Sequence, residues 1–308
     1  MLVTICVITY QRPEGLKRLM HGLNQLTFDR IPQPQIRVAL VDNDATGSVG
    51  DFCEQWRSSF QWHLDWVTES QRGISYARNR AIATADPSSD FIAFIDDDEV
   101  PDPTWLEELL LVQSTYNADV VHGRVVPHFQ DKVPAWVVKG KFFEPRRYPT
   151  GHSLEAAYTN NALVRATLLR QQDKVFDERF ALTGGEDSYF FRTLRHQGHR
   201  LVWADEAVVC EWIPPSRTTM KWILLRAYRG CLSYTLWEKE TLVSVKVRTV
   251  AVLKAIAQIA LGLVLLLPSL VLERHILMRA LLNIYKGAGR LSALIGVTYQ
   301  EYKTVHGV

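Results

Sequence analysis

Apolar residues crowd into short runs through the first hundred positions, and segments with helical spacing stand between them. Leu2–Tyr10 (LVTICVITY) is an unbroken β-branched and aromatic run, as expected of a strand buried on both faces. Gln11-Arg12-Pro13 breaks it, and Leu16, Leu19, Met20, Leu23 and Leu26 then recur at helical spacing over Glu14–Leu26. Ile36–Val41 predicts a second strand, Val49–Phe60 a helix, Leu64–Val67 a third strand, Ile74–Ala85 a helix and Phe91–Ile95 a fourth strand. Strands alternating with helices in this way predict an α/β fold, a Rossmann-like, mostly parallel sheet wound with helices on both faces. Further on, Pro103–Tyr116 reads as a helix and Val120–Val126 as a strand. Pro127–Tyr158 reads as an irregular surface loop, and Leu201–Val202 and Ala207–Trp212 as two short strands.

The polar residues gather where the strands end. Gln11-Arg12 follows the first strand, Asp42-Asn43-Asp44 the second, and Asp96-Asp97-Asp98-Glu99 the fourth, with Pro101 stopping it. Parallel α/β sheets bind ligands at the carboxyl ends of their strands, so three polar strand ends point to one site. Acids closing a buried strand are costly unless something neutralises them. Oxygen ligands at this density suit a hard divalent cation, Mg²⁺ or Mn²⁺, whose other ligands are water and substrate phosphates. An acidic solvated turn is the plain alternative. No GxGxxG follows the first strand and no GxxxxGK[ST] occurs, which excludes the usual dinucleotide and P-loop sites. A second acid pair, Glu186-Asp187, follows Gly184-Gly185 at the start of a predicted helix. The glycines allow close backbone approach to a ligand, although acids at a helix N-terminus also arise from dipole complementarity.

Composition changes this picture mainly at the C-terminus. The 308 residues are 47% apolar and 22% charged, with a net charge of +2, so no global basic excess argues for nucleic acid. From Thr241 onward, however, eight Lys/Arg face only Glu273 and Glu301, an asymmetry that suits an anionic surface. Arg217–Glu240 reads as helical. Val250–Leu272 is the most apolar stretch and near the length of a membrane span, interrupted by Lys254 and Pro268. Ile276–Gly296 has the composition of an in-plane amphipathic helix. Monotopic attachment is the expectation, with a single span and a helical pair packed on the domain as alternatives. The four cysteines form no CxxC pair, and His122, His128, His152 and His199 have no ligand spacing. No basic leader precedes the first strand, so the expected location is the cytoplasmic face of the inner membrane.

ITYQRP, VDND, RGISYARNRA, FIDDDEVP and GGEDSYFFRTLRHQG, in this order, resemble the family 2 inverting glycosyltransferases of GT-A fold. PPSR…RAYRG and the basic apolar tail resemble the branch that builds bacterial exopolysaccharide repeat units. The resemblance implies a catalytic domain over residues 1–215 and a membrane-associating helical region over 216–308. It implies that Asp96 and Asp98, the outer positions of an Asp-x-Asp motif, meet donor ribose and metal, with Asp97 in the variable middle place. Asp42 then corresponds to the carboxylate on the base, with Thr9, Tyr10 and Arg12 nearby. Arg72, Arg78 and Asn79 fall on the segment lining the nucleotide. Asp187 corresponds to the base that deprotonates the acceptor hydroxyl, with Glu186 beside it, and Asn161 to an asparagine near the donor sugar. Glu211 stands where many relatives place a metal-binding histidine, which leaves the third metal ligand open. Arg226 and Arg229, three apart on a helix, could grip an acceptor diphosphate or form a solvated face. The QxxRW motif of processive synthases is missing, so addition of a single sugar is expected. The implied partners are a nucleotide-sugar donor, a polyprenyl-diphosphate-linked saccharide and membrane lipids. The rival readings are a sugar nucleotidyltransferase, which usually carries a Gly-rich basic loop where TYQRP stands, and an inactive membrane adaptor that keeps the fold.

Overall fold

The computed structural model describes all residues except 48, 173, 270–272, 298 and 304–308. Its strands are β1 (Leu2–Thr9), β2 (Gln35–Asp42), β3 (His63–Thr68), β4 (Phe91–Phe94), β5 (Glu99–Pro101), β6 (Val120–Phe129), β7 (Ala162–Arg165) and β8 (Leu201–Ile213). They form one mixed sheet in the order β3-β2-β1-β4-β7-β6-β8-β5. The first four strands run parallel, as the alternation predicts. β7 then pairs antiparallel with both β4 and β6, β8 runs parallel to β6, and β5 closes the edge antiparallel to β8.

The helices are α1 (Pro13–Leu23), α2 (Gly50–Arg57), α3 (Ile74–Thr84), α4 (Trp105–Tyr116), α5 (Ala135–Gly140), α6 (Ala166–Arg170), α7 (Glu186–His196), α8 (Met220–Thr241), α9 (Val245–Ser269) and α10 (Arg274–Ile295). Side chains alternate along β1 between two cores. Val3, Ile5 and Val7 join Leu16 and Leu19 of α1 and Trp105 and Leu106 of α4 on one face. Cys6 on the other face joins Ala77 and Ala81 of α3 and Phe190 and Phe191 of α7. Both faces are covered, and for that reason the first strands read as continuous apolar runs.

Three expectations need correction. The two short strands at 201–212 are a single strand, β8, whose register against β6 shifts between Gly123 and Arg124. The polar pair Asp205-Glu206 that seems to divide it lies in the resulting bulge, where an extra stretch of one strand leaves the ladder. Second, Pro127–Tyr158 is not simply an irregular surface loop. β6 continues to Phe129, and Val137 of α5, with Phe142 and Phe143, packs against Trp222, Ile223 and Leu224 of α8 and Met278 of α10. Periodicity misses this because the contacts are made by isolated aromatics rather than a repeating stripe. Third, the apolar helix begins earlier than expected, at Val245, and its expected end at 270–272 lies outside the described residues.

Among the described residues, α9 is the one helix long and apolar enough to cross a membrane. It is only 17% buried in its most apolar window, and Leu253, Ile256, Leu261, Leu263, Val264 and Leu267 are exposed. α10 packs along α9 and α8, and glycines make the fit. A Cβ at Gly262 would lie 2.6 Å from Ile284, one at Gly287 2.6 Å from Ile259, and one at Gly289 2.2 Å from the Tyr228 carbonyl oxygen. Gly289→Val should therefore force α10 off α8 and cost about 1–3 kcal/mol, read as a lowered urea midpoint. Gly230→Ala on α8, with open space around it, should leave the unfolding free energy unchanged or raise it by up to about 1 kcal/mol of helix propensity, read from the same urea curves.

Candidate active site

The acids that end β4 form a turn locked from several sides. Glu99, at the start of β5, accepts the Asp96 backbone N–H at 2.9 Å through one carboxyl oxygen. Its other oxygen is buried without a partner among the described residues. Burial, reinforced by the charges of Asp96 and Asp98, pushes its carboxyl well above the usual range, and Glu99 braces the turn. Asp97 is buried and accepts the Thr9 hydroxyl at 2.8 Å and the Arg12 guanidinium at 2.9 Å. Its carbonyl oxygen abuts α1, where a Cβ at Gly15 would come within 2.6 Å of it. The two outer aspartates face arginines. Asp98 accepts from Arg12 at 3.1 Å and from Arg217 at 2.9 Å. Burial works against its charge, but these two guanidinia hold its carboxyl below the ordinary value. Asp96 pairs with Arg78 at 3.1 Å.

The second acid pair stands opposite. Gly184 and Gly185 hold φ values of +69° and +96°, in the left-handed region that glycine tolerates, and release the chain into α7. Glu186, the first residue of α7, is buried and pairs with the same Arg78 guanidinium that holds Asp96. Burial pushes the Glu186 carboxyl up to about 7, with Arg78 pulling against it. Asp187 is half-buried, accepts its neighbour Ser188's N–H at 2.6 Å, and has no ion-pair partner within 4 Å among the described residues. Its charge acts on Asp96, Arg78 and His122. Arg78 is thus the tie between two acidic motifs far apart in the chain, which it brings within reach of each other's charge. His122, the nearby alternative proton acceptor, is buried with Nδ1 at 2.7 Å from the Gly123 carbonyl, and burial brings it down to about 4.

The remaining expected residues divide. Arg72 stacks over the Tyr10 ring at 4.8 Å and forms a wall at the end of β1. Glu211 lies opposite Glu99 in the β5–β8 ladder and pairs with Arg217 at 2.9 Å, beside Asp98. On α8, Arg226 sits over Trp222 at 5.1 Å and its charge faces Glu211, while Arg229 points toward Gly184. Asp42 is fully buried and accepts the N–H groups of Asp44 and Val49, the first at 3.0 Å and the second at 3.2 Å. It shapes the loop between β2 and α2.

Thr9, Asn79 and Asn161 make bracing contacts within the fold. The Thr9 hydroxyl is spent on Asp97. The Asn79 amide exchanges two hydrogen bonds with the Phe176 backbone, fastening α3 to the loop ahead of α7. Asn161 is fully buried and fills the β6–β8 bulge: it donates to the Arg124 and Ala207 carbonyls and accepts from the Trp105 indole. Two residues with no assigned role in the sequence reading belong to the cleft. Arg217 lies in the PPSR motif, where a prolyl turn gave no sign of direction. Tyr302 arrives from the far C-terminus, beyond any local pattern.

Among the described residues, no three His, Cys, Asp or Glu side chains are grouped so as to hold an ion by themselves. A smaller protein share still fits a divalent cation. Asp98 and Glu211 already converge on one positive group, the Arg217 guanidinium, and Mg²⁺ characteristically takes one or two carboxylates and draws its other ligands from phosphate and water. Another hollow, of about 470 Å³, lies at the amino ends of β2 and β3 between Arg37, Asp65 and Asp86. Its charges neutralise one another, with Arg37 held by Asp65 at 2.8 Å and by Asp86 at 3.1 Å, and no catalytic group faces it.

The family model for glycosyl transferase family 2 matches residues 4–172. The succinoglycan biosynthesis protein ExoM of Rhizobium meliloti (strain 1021) is 31% identical over 229 residues, which is 74% of this chain and 72% of ExoM. The mannosyltransferase PcManGT from Pyrobaculum calidifontis, solved with GDP-Man and Mn²⁺, superposes with a TM-score of 0.65 at 16% identity, over 95% of this chain and 86% of its own. S. aureus TarS 1-349 in complex with UDP superposes with a TM-score of 0.53 at 17% identity, over 96% of this chain and 92% of its own. These two likenesses are of fold, and they make the α/β architecture GT-A. With the family model spanning both the first strand and the acid turn, the chain belongs to glycosyl transferase family 2, as a glycosyltransferase of the bacterial exopolysaccharide type.

Proposed function

We propose that the protein moves one sugar from a nucleotide-diphosphate donor to a lipid-linked saccharide, by a direct displacement that inverts the anomeric carbon. The observation that carries this reading is the Arg78 bridge, which gathers Asp96 and Glu186 beside Asp187, a half-buried carboxylate with no ion pair within 4 Å among the described residues. An attacking hydroxyl must lose its proton as the new bond forms, and a half-exposed carboxylate is suited to accept it. Tyr10 and Arg72 provide a flat cationic wall for the nucleoside. Arg12 and Arg217 bring positive charge to where a diphosphate leaves. Asp98 and Glu211 would hold a Mg²⁺ or Mn²⁺ ion, which when bound supplies Lewis-acid charge to the departing diphosphate. That structures of GT-A relatives contain UDP-GlcNAc or GDP-Man with Mn²⁺ supports a nucleotide-sugar donor and a cation here. The exposed apolar face of α9 supports attachment to lipid, at the membrane face where a polyprenyl-diphosphate acceptor would be presented.

The test is incubation with labelled UDP-, GDP- and dTDP-sugars and a membrane extract. Label should move from one donor into the lipid fraction. Transfer of a nucleoside monophosphate would instead support a nucleotidyltransferase, and no turnover with any donor an inactive adaptor. Asp98→Ala should abolish metal-dependent donor binding in calorimetry, and unchanged binding would remove Asp98 from the cation site.

A further inference from the structure

We propose that the Tyr158 ring is the platform for the terminal sugar of the acceptor: the sugar rests a C–H face on the phenol and presents its hydroxyl toward Asp187. The inference rests on the transferase reading for what the ring receives. The local chain explains why the ring is offered to solvent. Tyr158 is extended, at φ −141° and ψ 154°, just before the short 3-10 turn Thr159–Asn161 that leads into β7. Its neighbours Ala157 and Thr159 are both buried. Side chains alternate along an extended backbone, so with both neighbours directed inward the ring points out. Tyr158 is 43% exposed.

Its surroundings set the ring beside the acids. It meets the His122 ring edge to face, with centroids 5.6 Å apart and planes at 81°. His122 packs in turn on the buried Trp203 at 5.7 Å, so the platform is backed by fixed aromatic rings. The Asp187 charge acts on that same His122. On the other side, Thr159 lines a small hollow together with Arg78 and Asp96. The Thr159 hydroxyl oxygen is buried without a hydrogen-bond partner among the described residues, and so is the Asn160 amide oxygen. Buried polar atoms are rarely left unpaired. A polyhydroxylated ring seated on Tyr158 brings hydroxyls to the rim where these two stand.

Position in the sheet separates this sugar from the nucleoside. Tyr10 and Arg72 form their wall at the end of β1, whereas His122 lies on β6, three strands along in the order β1-β4-β7-β6. Neighbouring strands stand about 4.8 Å apart, so the support of Tyr158 is roughly 14 Å from the nucleoside wall. The acid turn that closes β4 lies between them. Inversion requires the nucleophile to enter opposite the leaving diphosphate, and the Tyr158 side of the acids is the side away from the nucleoside. A tyrosine suits the task. Its flat face covers the C–H face of a sugar with few rotamers to freeze, and leaves the sugar hydroxyls to the polar groups around it.

Saturation-transfer NMR on the full chain, with the methyl glycosides of glucose, galactose, mannose and N-acetylglucosamine, reads the stacking without turnover. At least one glycoside should take up saturation on the protons of one ring face. Tyr158→Ala should cut that signal at least fivefold, while Tyr158→Phe, which keeps the ring, should stay within twofold of the parent. No transfer to any glycoside, or a signal that Tyr158→Ala leaves unchanged, overturns the proposal. Turnover then separates acceptor from donor. With labelled donor and membrane extract, Tyr158→Ala should need about tenfold more extract for half-maximal transfer, and calorimetric donor binding should stay within twofold. An unchanged extract requirement, or donor binding weakened by the same factor, overturns the acceptor platform. If the parent turns over no labelled donor, the transferase reading fails, while the NMR comparison still decides whether the Tyr158 ring receives a sugar.

Discussion

Replacement of Asp187 by Asn should reduce sugar transfer by about 10²–10⁴-fold, the usual weight of a positioned general base, and leave donor binding within a few-fold. The substitution keeps size and the helix start, and removes only the ability to take a proton. Among the described residues Asp187 makes no ion pair within 4 Å, so its loss strands no directly paired cation, and Arg78, which feels its charge, keeps Asp96 and Glu186. His122 offers no substitute, being buried and neutral with one ring nitrogen against its neighbour's carbonyl. Steady-state transfer and calorimetric donor binding, measured on the same preparation, check the pair of outcomes. Normal turnover would remove Asp187 as the base.

Arg78→Met should be the most damaging single change to the fold at the cleft. The guanidinium is 5% exposed and is shared by Asp96 and by Glu186, itself 1% exposed. Methionine fills the volume and leaves both carboxylates without their cation. Breaking a buried pair from one side costs about 3–5 kcal/mol, because the remaining charge is stranded. The deficit should depend on pH. Burial pushes the Glu186 carboxyl up to about 7 and raises that of Asp96, with Arg78 pulling both down; without Arg78 each is raised further. Neutral carboxyls are cheaper to bury, so the loss should be smallest in acid and grow as pH rises through neutrality and above. Urea unfolding at several pH values reads this directly, and a deficit independent of pH would show that packing, not charge, is what Arg78 supplies. Glu186→Gln alone should be far milder, since Asp96 keeps its partner.

The parallel half of the sheet was legible because its signal is local. β1, β2 and β4 are apolar on both faces, and the helices between them repeat at helical spacing, so element type and order follow from the run of residues itself. The acid turn and Glu186-Asp187 were legible as chemistry for the same reason: several acids at a strand end or after two glycines have few other uses. What remained hidden is set by long-range packing. Asp205-Glu206 looked like a break in β8 because polarity cannot distinguish a bulge from a turn. Asn161 looked like a ligand residue, whereas its amide is consumed by three groups brought together only by the folded sheet. Arg217 and Tyr302 enter the cleft from segments with no periodicity, and a single residue delivered by tertiary contact leaves no trace in spacing.

The cluster that joins α5 to α8 and α10 bears on how the chain can be divided. Cutting after Pro215, where the sequence changes character, would strip Arg217 and Arg229 from the catalytic half and leave Val137, Phe142 and Phe143 facing water. A fragment so trimmed should be sticky and inert rather than a soluble minimal enzyme. A cut past Thr241 would keep Arg217 and Arg229 but remove Met278 from the same cluster and bare the face of α8 that α10 covers, so the apolar hairpin belongs to the folded unit as well.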